Sequence, residues 1–341
     1  MDKSKVLIIY TGGTIGMVED PVTGALNPFD FCQLQENIPE LNKLDVDLTV
    51  ESIENPIDSS NITPEIWFQL VNIIAEFYPV FDGFVILHGS DTMAYSASGL
   101  SFLLENVAKP IIFTGSQLPI GKIRTDGKEN LITAIEIAAA KENGYPIVPE
   151  VAIYFEYSLY RGNRTTKISA ENFEAFQSPN YPLLAEAGVH IKYNRFAINK
   201  PSDEPFYVRK LISTNIASIR IFPGIKKEVF KAIANIPNLK GLILETFGSG
   251  NSPTVPWLSE ELLELEKKRV VVINITQCTT GLVLQGKYET GVHLEKVGVL
   301  SGRDMTFEAA ITKLMYLLGC EELSLAEKKT YLEQNLRGEI S

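Results

Sequence analysis

Lys5–Met17 reads KVLIIYTGGTIGM, an apolar run from Val6 to Tyr10 that breaks into Thr11-Gly12-Gly13-Thr14-Ile15-Gly16. A short, continuous apolar run closed by glycines is the pattern of a parallel strand covered on both faces. Continuous apolar runs return in FVILH at 84–88, PIIFT at 110–114 and VAIYF at 151–155, the first two again followed by glycine. Helical stretches separate the runs. Thr63-Pro64 reads as an N-cap followed by proline at the first helical position, after which Ile66, Leu70, Ile73, Ile74 and Phe77 fall on one stripe. Lys128 to Lys141 repeats the arrangement with Leu131, Ile132 and Ile135. Strands alternating with helices predict an open α/β sheet.

Around 197–207 the segment AINKPSDEPFY loses its periodicity and gathers proline and charge, as linkers do. The α/β pattern then restarts with SIRIF, KEVFKAIANI, GLILETFGSGN, LSEELLELEKK and VVVINITQC. The expected organisation is a larger N-terminal α/β domain with a doubly wound open sheet, residues 1–196, a linker at 197–212, and a smaller C-terminal α/β domain at 213–341.

Composition narrows the function. A chain of 341 residues with 45% hydrophobic content can bury two cores, and its net charge of −11 offers no basic face to nucleic acid or an anionic membrane. The apolar stretch near the N-terminus is too short for a signal peptide or a membrane span, so a cytoplasmic protein is expected. Cys32, Cys278 and Cys320 lack the spacing of a zinc site and, being odd in number, read as reduced thiols. His88, His190 and His293 are isolated, which excludes HExxH chemistry, and no metal site is expected.

The opening turn fits neither G-x-G-x-x-G nor GxxxxGK[ST]. What sets it apart is hydroxyls beside glycines, repeated where FVILH runs into Gly89-Ser90-Asp91-Thr92 and PIIFT into Gly115-Ser116-Gln117. In an open parallel sheet, ligands bind outside the carboxyl ends of the strands. Three hydroxyl-bearing turns are expected to converge there, with Ser116 a substrate-binding candidate on the third.

TGGTIG and HGSDTMAYSASGLSFLLEN at 88–106 resemble the two signature segments of bacterial-type L-asparaginases, the cytoplasmic type I group in particular. The likeness continues through IDSSNITPE at 57–65, TGSQLP at 114–119, LYRGNRTTK at 159–167, FGSGNSP at 247–253, ITQCTTG at 275–281 and QNLRGE at 334–339. The resemblance implies hydrolysis of L-asparagine to L-aspartate and ammonia through an acyl-threonine, with no metal or organic cofactor. A carboxamide is a poor electrophile, and a bound nucleophile divides its hydrolysis into two easier steps. The family pattern places the nucleophile at Thr14 and a hydroxyl–acid–lysine set at Ser90, Asp91 and Lys167. Desolvation is expected to let the lysine act as base, with Asp91 positioning it. Asp58, Ser59 and Ser60 match the segment that holds the α-amine and α-carboxylate, aided by Asp91. Asn251 matches a residue that reaches the site of a neighbouring subunit, which implies a homodimer or a dimer of dimers. His88 has no catalytic task in this pattern and reads as a core or supporting residue.

Three departures accompany the likeness. Ser90 stands where relatives carry threonine, keeping the hydroxyl but losing the methyl that restricts χ1. Ala25 stands where several relatives place a tyrosine over the nucleophile, and Tyr10 and Tyr288 are the substitutes considered. Glu245 stands where allosteric relatives carry arginine, and the charge reversal argues against such control, although Cys278 is kept. The other readings are an asparaginase-like subunit of a transfer-RNA amidotransferase, a nucleotide-dependent oxidoreductase and a non-catalytic amino-acid sensor. The first has an extra N-terminal domain for which TGGTIG at residue 11 leaves no room, and the glycine spacing disfavours the second.

Overall fold

The computed structural model describes residues 3–19, 26–28, 38–285 and 289–341. They divide into two compact units, Met1–Ser178 with Pro182–Lys210, and Pro179–Tyr181 with Leu211–Ser341.

The first unit is built on strand β1 (Ser4–Gly12), whose Val6, Leu7, Ile8 and Ile9 are wholly buried. β2 (Val46–Ile57), β3 (Gly83–Leu87), β4 (Ile111–Thr114) and β5 (Val151–Phe155) complete a parallel sheet in the order 2-1-3-4-5. This is a doubly wound order. The chain leaves β1 to one side for β2 and to the other for β3, so the crevice between their outgoing turns opens at the carboxyl end of β1. Three antiparallel strands, β6 (Ser158–Arg161), β7 (Ala185–Ala187) and β8 (Ile191–Tyr193), extend the sheet beyond β5. They are short and carry little apolar pattern, and the sequence reading did not find them.

Helix α1 (Pro64–Phe77) begins at the expected Thr63-Pro64, but Thr63 makes no side-chain cap and instead bonds the Glu65 carboxylate. Its buried face is Trp67, Leu70, Val71 and Ile74, so Ile66, Ile73 and Phe77 lie at the edge of the stripe rather than in it. Trp67 rotates the face: its indole packs over Gly99 and donates to Ser96 Oγ at 2.9 Å. Ser96 lies on α2 (Met93–Leu103), a helix of small residues buried along nearly its whole length. α3 (Gly127–Ala139) buries Leu131 and Ile135 as expected.

The second unit carries a four-stranded parallel sheet in chain order: β9 (Ile216–Arg220), β10 (Gly241–Thr246), β11 (Val271–Thr276) and β12 (Leu300–Ser301). Leu242, Leu244 and Val272 pack with Phe230 of α4 (Lys227–Ala234) and Leu258, Leu262 and Leu265 of α5 (Pro256–Lys267). The Asn180 carboxamide belongs to this unit. It donates to the carbonyls of Gly281 and Asp304 at 3.1 Å each and accepts from Gly281 N at 2.9 Å. In the segment read as a linker, Tyr207–Val208 pairs with Leu104–Glu105, and the chain stays with the first unit as far as Lys210.

The β1 turn is the tightest point of the fold. A Cβ added at Gly13, whose φ is +84°, would lie 2.5 Å from Gly89 Cα and N. Gly13→Ala is therefore expected to cost roughly 2–4 kcal/mol, from overpacking and a left-handed φ together. Urea unfolding measures it, with Gly121→Ala as control because that glycine has open space around it. Equal midpoints for the two variants would contradict the packing.

Candidate active site

Three backbone turns meet at the carboxyl ends of β1, β2 and β3. Gly12 (φ +112°) and Gly13 pass against Ile57, with Gly13 N donating to Ile57 O at 3.2 Å. Gly89 presses on Gly13 from one side and on the Ser59 side chain from the other, where a Cβ would sit 2.5 Å from Ser59 Oγ. Thr92 Oγ1 donates to Ser59 O at 2.7 Å and Thr11 Oγ1 to Leu87 O at 2.9 Å. The Thr11 hydroxyl is thus spent on stitching β1 to β3 and is not one of the groups offered to a ligand. Thr14 opens a single 3-10 turn, Thr14–Gly16, and is half-buried one residue beyond the Gly13–Gly89 contact.

Ser90 lies one residue beyond Gly89. Its Oγ accepts from Lys167 Nζ at 2.8 Å, and the same ammonium donates to Asp91 Oδ1 at 2.6 Å. The chain separates these residues by 77 and 76 positions, and the structure brings them together. Lys167 is held in Thr166–Lys167, a short strand paired with Phe176–Gln177. Its side chain is only 17% exposed against 65% for Asp91, so the lysine is shielded while the carboxylate stays open to a second cation.

Asp58 Oδ1 accepts from both Ser60 N and Ser60 Oγ at 2.8 Å. These bonds hold its carboxyl below the usual aspartate range, so an exposed anion stands at the mouth of the same turns. Ser59 is buried beside Gly89. Ser116 is also buried, and its hydroxyl donates to Leu118 O at 2.6 Å inside its own turn. The two Gln117 and Leu118 amides of that turn converge on the buried Asp126 carboxylate at 2.8 and 3.1 Å. The sequence reading missed Gln117 and Asp126. The one available signal was an aspartate just before a helical pattern.

His88 is fully buried behind the Gly89–Ser90 turn. The Trp67 indole can only donate, so Ser96 Oγ accepts from it and donates to His88 Nε2 at 2.8 Å. Nδ1 then carries the hydrogen and donates to Gly89 O at 2.7 Å. Desolvation pushes the imidazole pKa down to about 4. His88 is a neutral brace, as a supporting role requires. Tyr10 serves β1 similarly: its hydroxyl donates to Gly16 O at 3.2 Å, and burial pushes its pKa up to about 12. A phenol held neutral in this way is a brace rather than a base. Ala25, Cys32 and Tyr288 lie outside the described residues. Cys278 and Cys320 are free thiols, the first exposed and the second buried. Among the described residues no cluster of three His, Cys, Asp or Glu side chains could hold a metal ion, and no helix is long and apolar enough to cross a membrane.

In the second unit Asn251 closes a turn after β10, exchanging backbone hydrogen bonds with Phe247 at 2.8 and 2.9 Å. Every carbonyl of Gly248–Gly250 is engaged. Thr276 Oγ1 donates to Gly248 O at 2.6 Å, Leu284 N to Ser249 O at 2.9 Å and the buried Asn274 Nδ2 to Gly250 O at 3.3 Å. Glu245, on β10, lies 4.0 Å from Arg220, and burial pushes its carboxyl pKa up.

Residues 5–199 match the family model described as Asparaginase, N-terminal, and residues 215–332 that of the Glutaminase/Asparaginase C-terminal domain. The chain belongs to the asparaginase family. Along its whole length it is 42% identical to L-asparaginase 1 of Escherichia coli, 99% of which is covered. The crystal structure of L-asparaginase I from Vibrio cholerae superposes with a TM-score of 0.90 at 40% identity, covering 99% of both chains. The thermostable L-asparaginase from Thermococcus kodakarensis superposes with a TM-score of 0.89 at 31% identity, again over 99% of both chains. The asparaginase signatures TGGTIG and HGSDT thus sit on the two turns that Gly13 and Gly89 bring into contact.

The folded pKa of His88 lies below its usual 6.5, so the unfolded chain takes up this proton first. The contribution of neutral His88 is complete above about pH 6.5 and is lost as pH falls toward 4, a loss of about 3 kcal/mol. Urea midpoints between pH 7 and pH 4.5 should fall more steeply for the parent than for His88→Gln. Parallel pH profiles would show that His88 does not carry the linkage.

Proposed function

We propose that this chain hydrolyses the side-chain amide of L-asparagine to L-aspartate and ammonia through an ester on Thr14. It acts without metal or organic cofactor, in the cytoplasm, as a homodimer or a dimer of dimers. The observation that carries the reading is the Ser90–Lys167–Asp91 cluster, one residue from the contact between the two turns, in a chain that is asparaginase-like from end to end. Thr14 Oγ attacks the carboxamide carbon, and its proton is taken by the unprotonated amine of Lys167, which Ser90 and Asp91 hold in place. The tetrahedral adduct expels the amide nitrogen, which leaves as ammonia after taking a proton. Water then attacks the ester, releases aspartate and returns the hydrogen to Thr14. Asp58 and Asp91 hold the substrate ammonium, and Ser59 and Ser60 its carboxylate, with Ser116 at the third turn. Asn251, presented on its braced turn, completes the site of a partner chain, as a symmetric interface allows.

Ammonia release from free asparagine tests the reading against an amidotransferase component or a sensor. Thr14→Ala should abolish nearly all turnover while keeping the fold and much of the affinity; near-normal rates would remove Thr14 from its role. A pocket fitted to one chain length discriminates by about 10–200-fold per methylene, so asparagine should exceed glutamine in kcat/KM by that order. Equal constants would contradict the fit.

Assembly has its own test, in which two impaired variants, Thr14→Ala and Asn251→Ala, are mixed. One site of a mixed dimer then has both intact residues, and activity should return toward about half per mixed dimer. No recovery after confirmed subunit exchange would mean that Asn251 acts within its own chain or that the two sites are strongly coupled.

A further inference from the structure

We propose that Gln117 is a positioning residue that locks the Ser90 hydroxyl in the rotamer facing Lys167. The inference rests on the hydrolase reading above.

Serine has no γ-methyl, so its χ1 is free to visit three wells unless something outside the residue chooses one. At Ser90 two partners of opposite kind make the choice. Lys167 Nζ has only hydrogens to give and donates to Ser90 Oγ at 2.8 Å. Gln117 Oε1 has only lone pairs to offer, so Ser90 donates to it at 3.2 Å. The orientation of the Gln117 amide is itself fixed, because its Nε2 donates to the carbonyl of Asn172 at 2.9 Å and a carbonyl can only accept. The oxygen therefore faces Ser90. The Gln117 backbone is anchored as well, through its amide to Asp126 Oδ2 at 2.8 Å, and Asn130 Nδ2 holds Asp126 Oδ2 at 3.3 Å and Gly115 O at 3.0 Å. A continuous chain of bonds runs from the start of α3 to the Ser90 oxygen.

The consequence is directional. With its hydrogen committed to Gln117, Ser90 turns its lone pairs to the lysine and keeps its oxygen within reach of Nζ. Removing the carboxamide frees the hydroxyl to rotate away, which affects proton transfer more than substrate capture. A threonine methyl at position 90 would supply the same restraint from within the residue.

The test is a double-mutant cycle on ammonia release, with Gln117→Met and Ser90→Thr made singly and together and folding checked by thermal midpoint. Gln117→Met should lower kcat about tenfold with KM within about twofold, and in the Ser90→Thr background the same change should cost less than about threefold. Couplings of that size are found between side chains in contact. Equal losses in both backgrounds would overturn the proposal, as would a rise in KM at constant kcat, which would make Gln117 a substrate ligand. A crystal structure of Gln117→Met gives a second readout independent of turnover. Ser90 spread over more than one rotamer supports the lock, and one unchanged rotamer overturns it. If the unaltered chain releases no ammonia from asparagine, the hydrolase reading falls and takes this inference with it. If it does, the cycle judges Gln117 alone.

Discussion

The constraint on which the site depends is the meeting of two glycines, Gly13 and Gly89, with no room for a carbon atom between them. β1 and β3 are parallel neighbours, so their outgoing turns leave from the same edge of the sheet, and side-chain-free backbone lets the turns touch. Thr14 and Ser90 follow the contact directly, so their separation is set by backbone rather than by flexible side chains. Around this point the fold places braces that are each fully satisfied: Thr11 to Leu87, Thr92 to Ser59, and the relay from Trp67 through Ser96 and His88 to Gly89. Buried polar chains of this kind stiffen a site only when no member is left unpaired.

What could be read from the sequence followed from local chemistry. Continuous apolar runs became the parallel strands β1, β3, β4 and β5, and the restart after the 197–212 segment became the second sheet. Ser90, Asp91 and Lys167 were legible through their motif, and the lysine ammonium lies 2.6–2.8 Å from the polar atoms of the other two. What escaped lacks a sequence signature for a physical reason. β6, β7 and β8 are three or four residues long, too short for an alternating pattern to stand out. The buried face of α1 depends on where the Trp67 indole finds an acceptor, which is a tertiary fact. Asn180 and Asn130 bind backbone carbonyls far along the chain, and a carbonyl has no letter in the sequence.

The two units solve the same problem, fixing a turn, with different devices. In the first, the glycine turns are packed against each other. In the second, the turn before Asn251 is fixed by giving each of its three carbonyls a donor, two of them from side chains of β11. Asn274 is a wholly buried polar residue in an otherwise apolar strand, and its Oδ1 takes the Thr246 hydroxyl at 2.7 Å while its Nδ2 holds Gly250. Such a residue costs desolvation in a core and is tolerable only because both ends of its amide are paired. What it secures is the shape of the turn that carries Asn251.

The hydroxyls at the strand ends differ in how far they are already committed, and the difference supports the role proposed for Thr14. Thr11, Thr92, Thr114 and Ser116 each donate to a fixed carbonyl, and Ser60 donates to Asp58. A hydroxyl whose hydrogen is held by a rigid acceptor is oriented for structure and cannot turn its lone pair toward a substrate without losing that bond. Ser90 is committed between Lys167 and Gln117. The hydroxyls of Ser59 and Thr14 remain, neither with a hydrogen-bond partner among the described residues, but Ser59 is 5% exposed and pressed against Gly89. Thr14 alone combines an uncommitted hydroxyl with partial exposure, on a turn whose position is fixed by the close packing of the glycine before it. A weakly acidic nucleophile needs that combination, because it must be free to lose its proton and unable to drift from the atom it attacks.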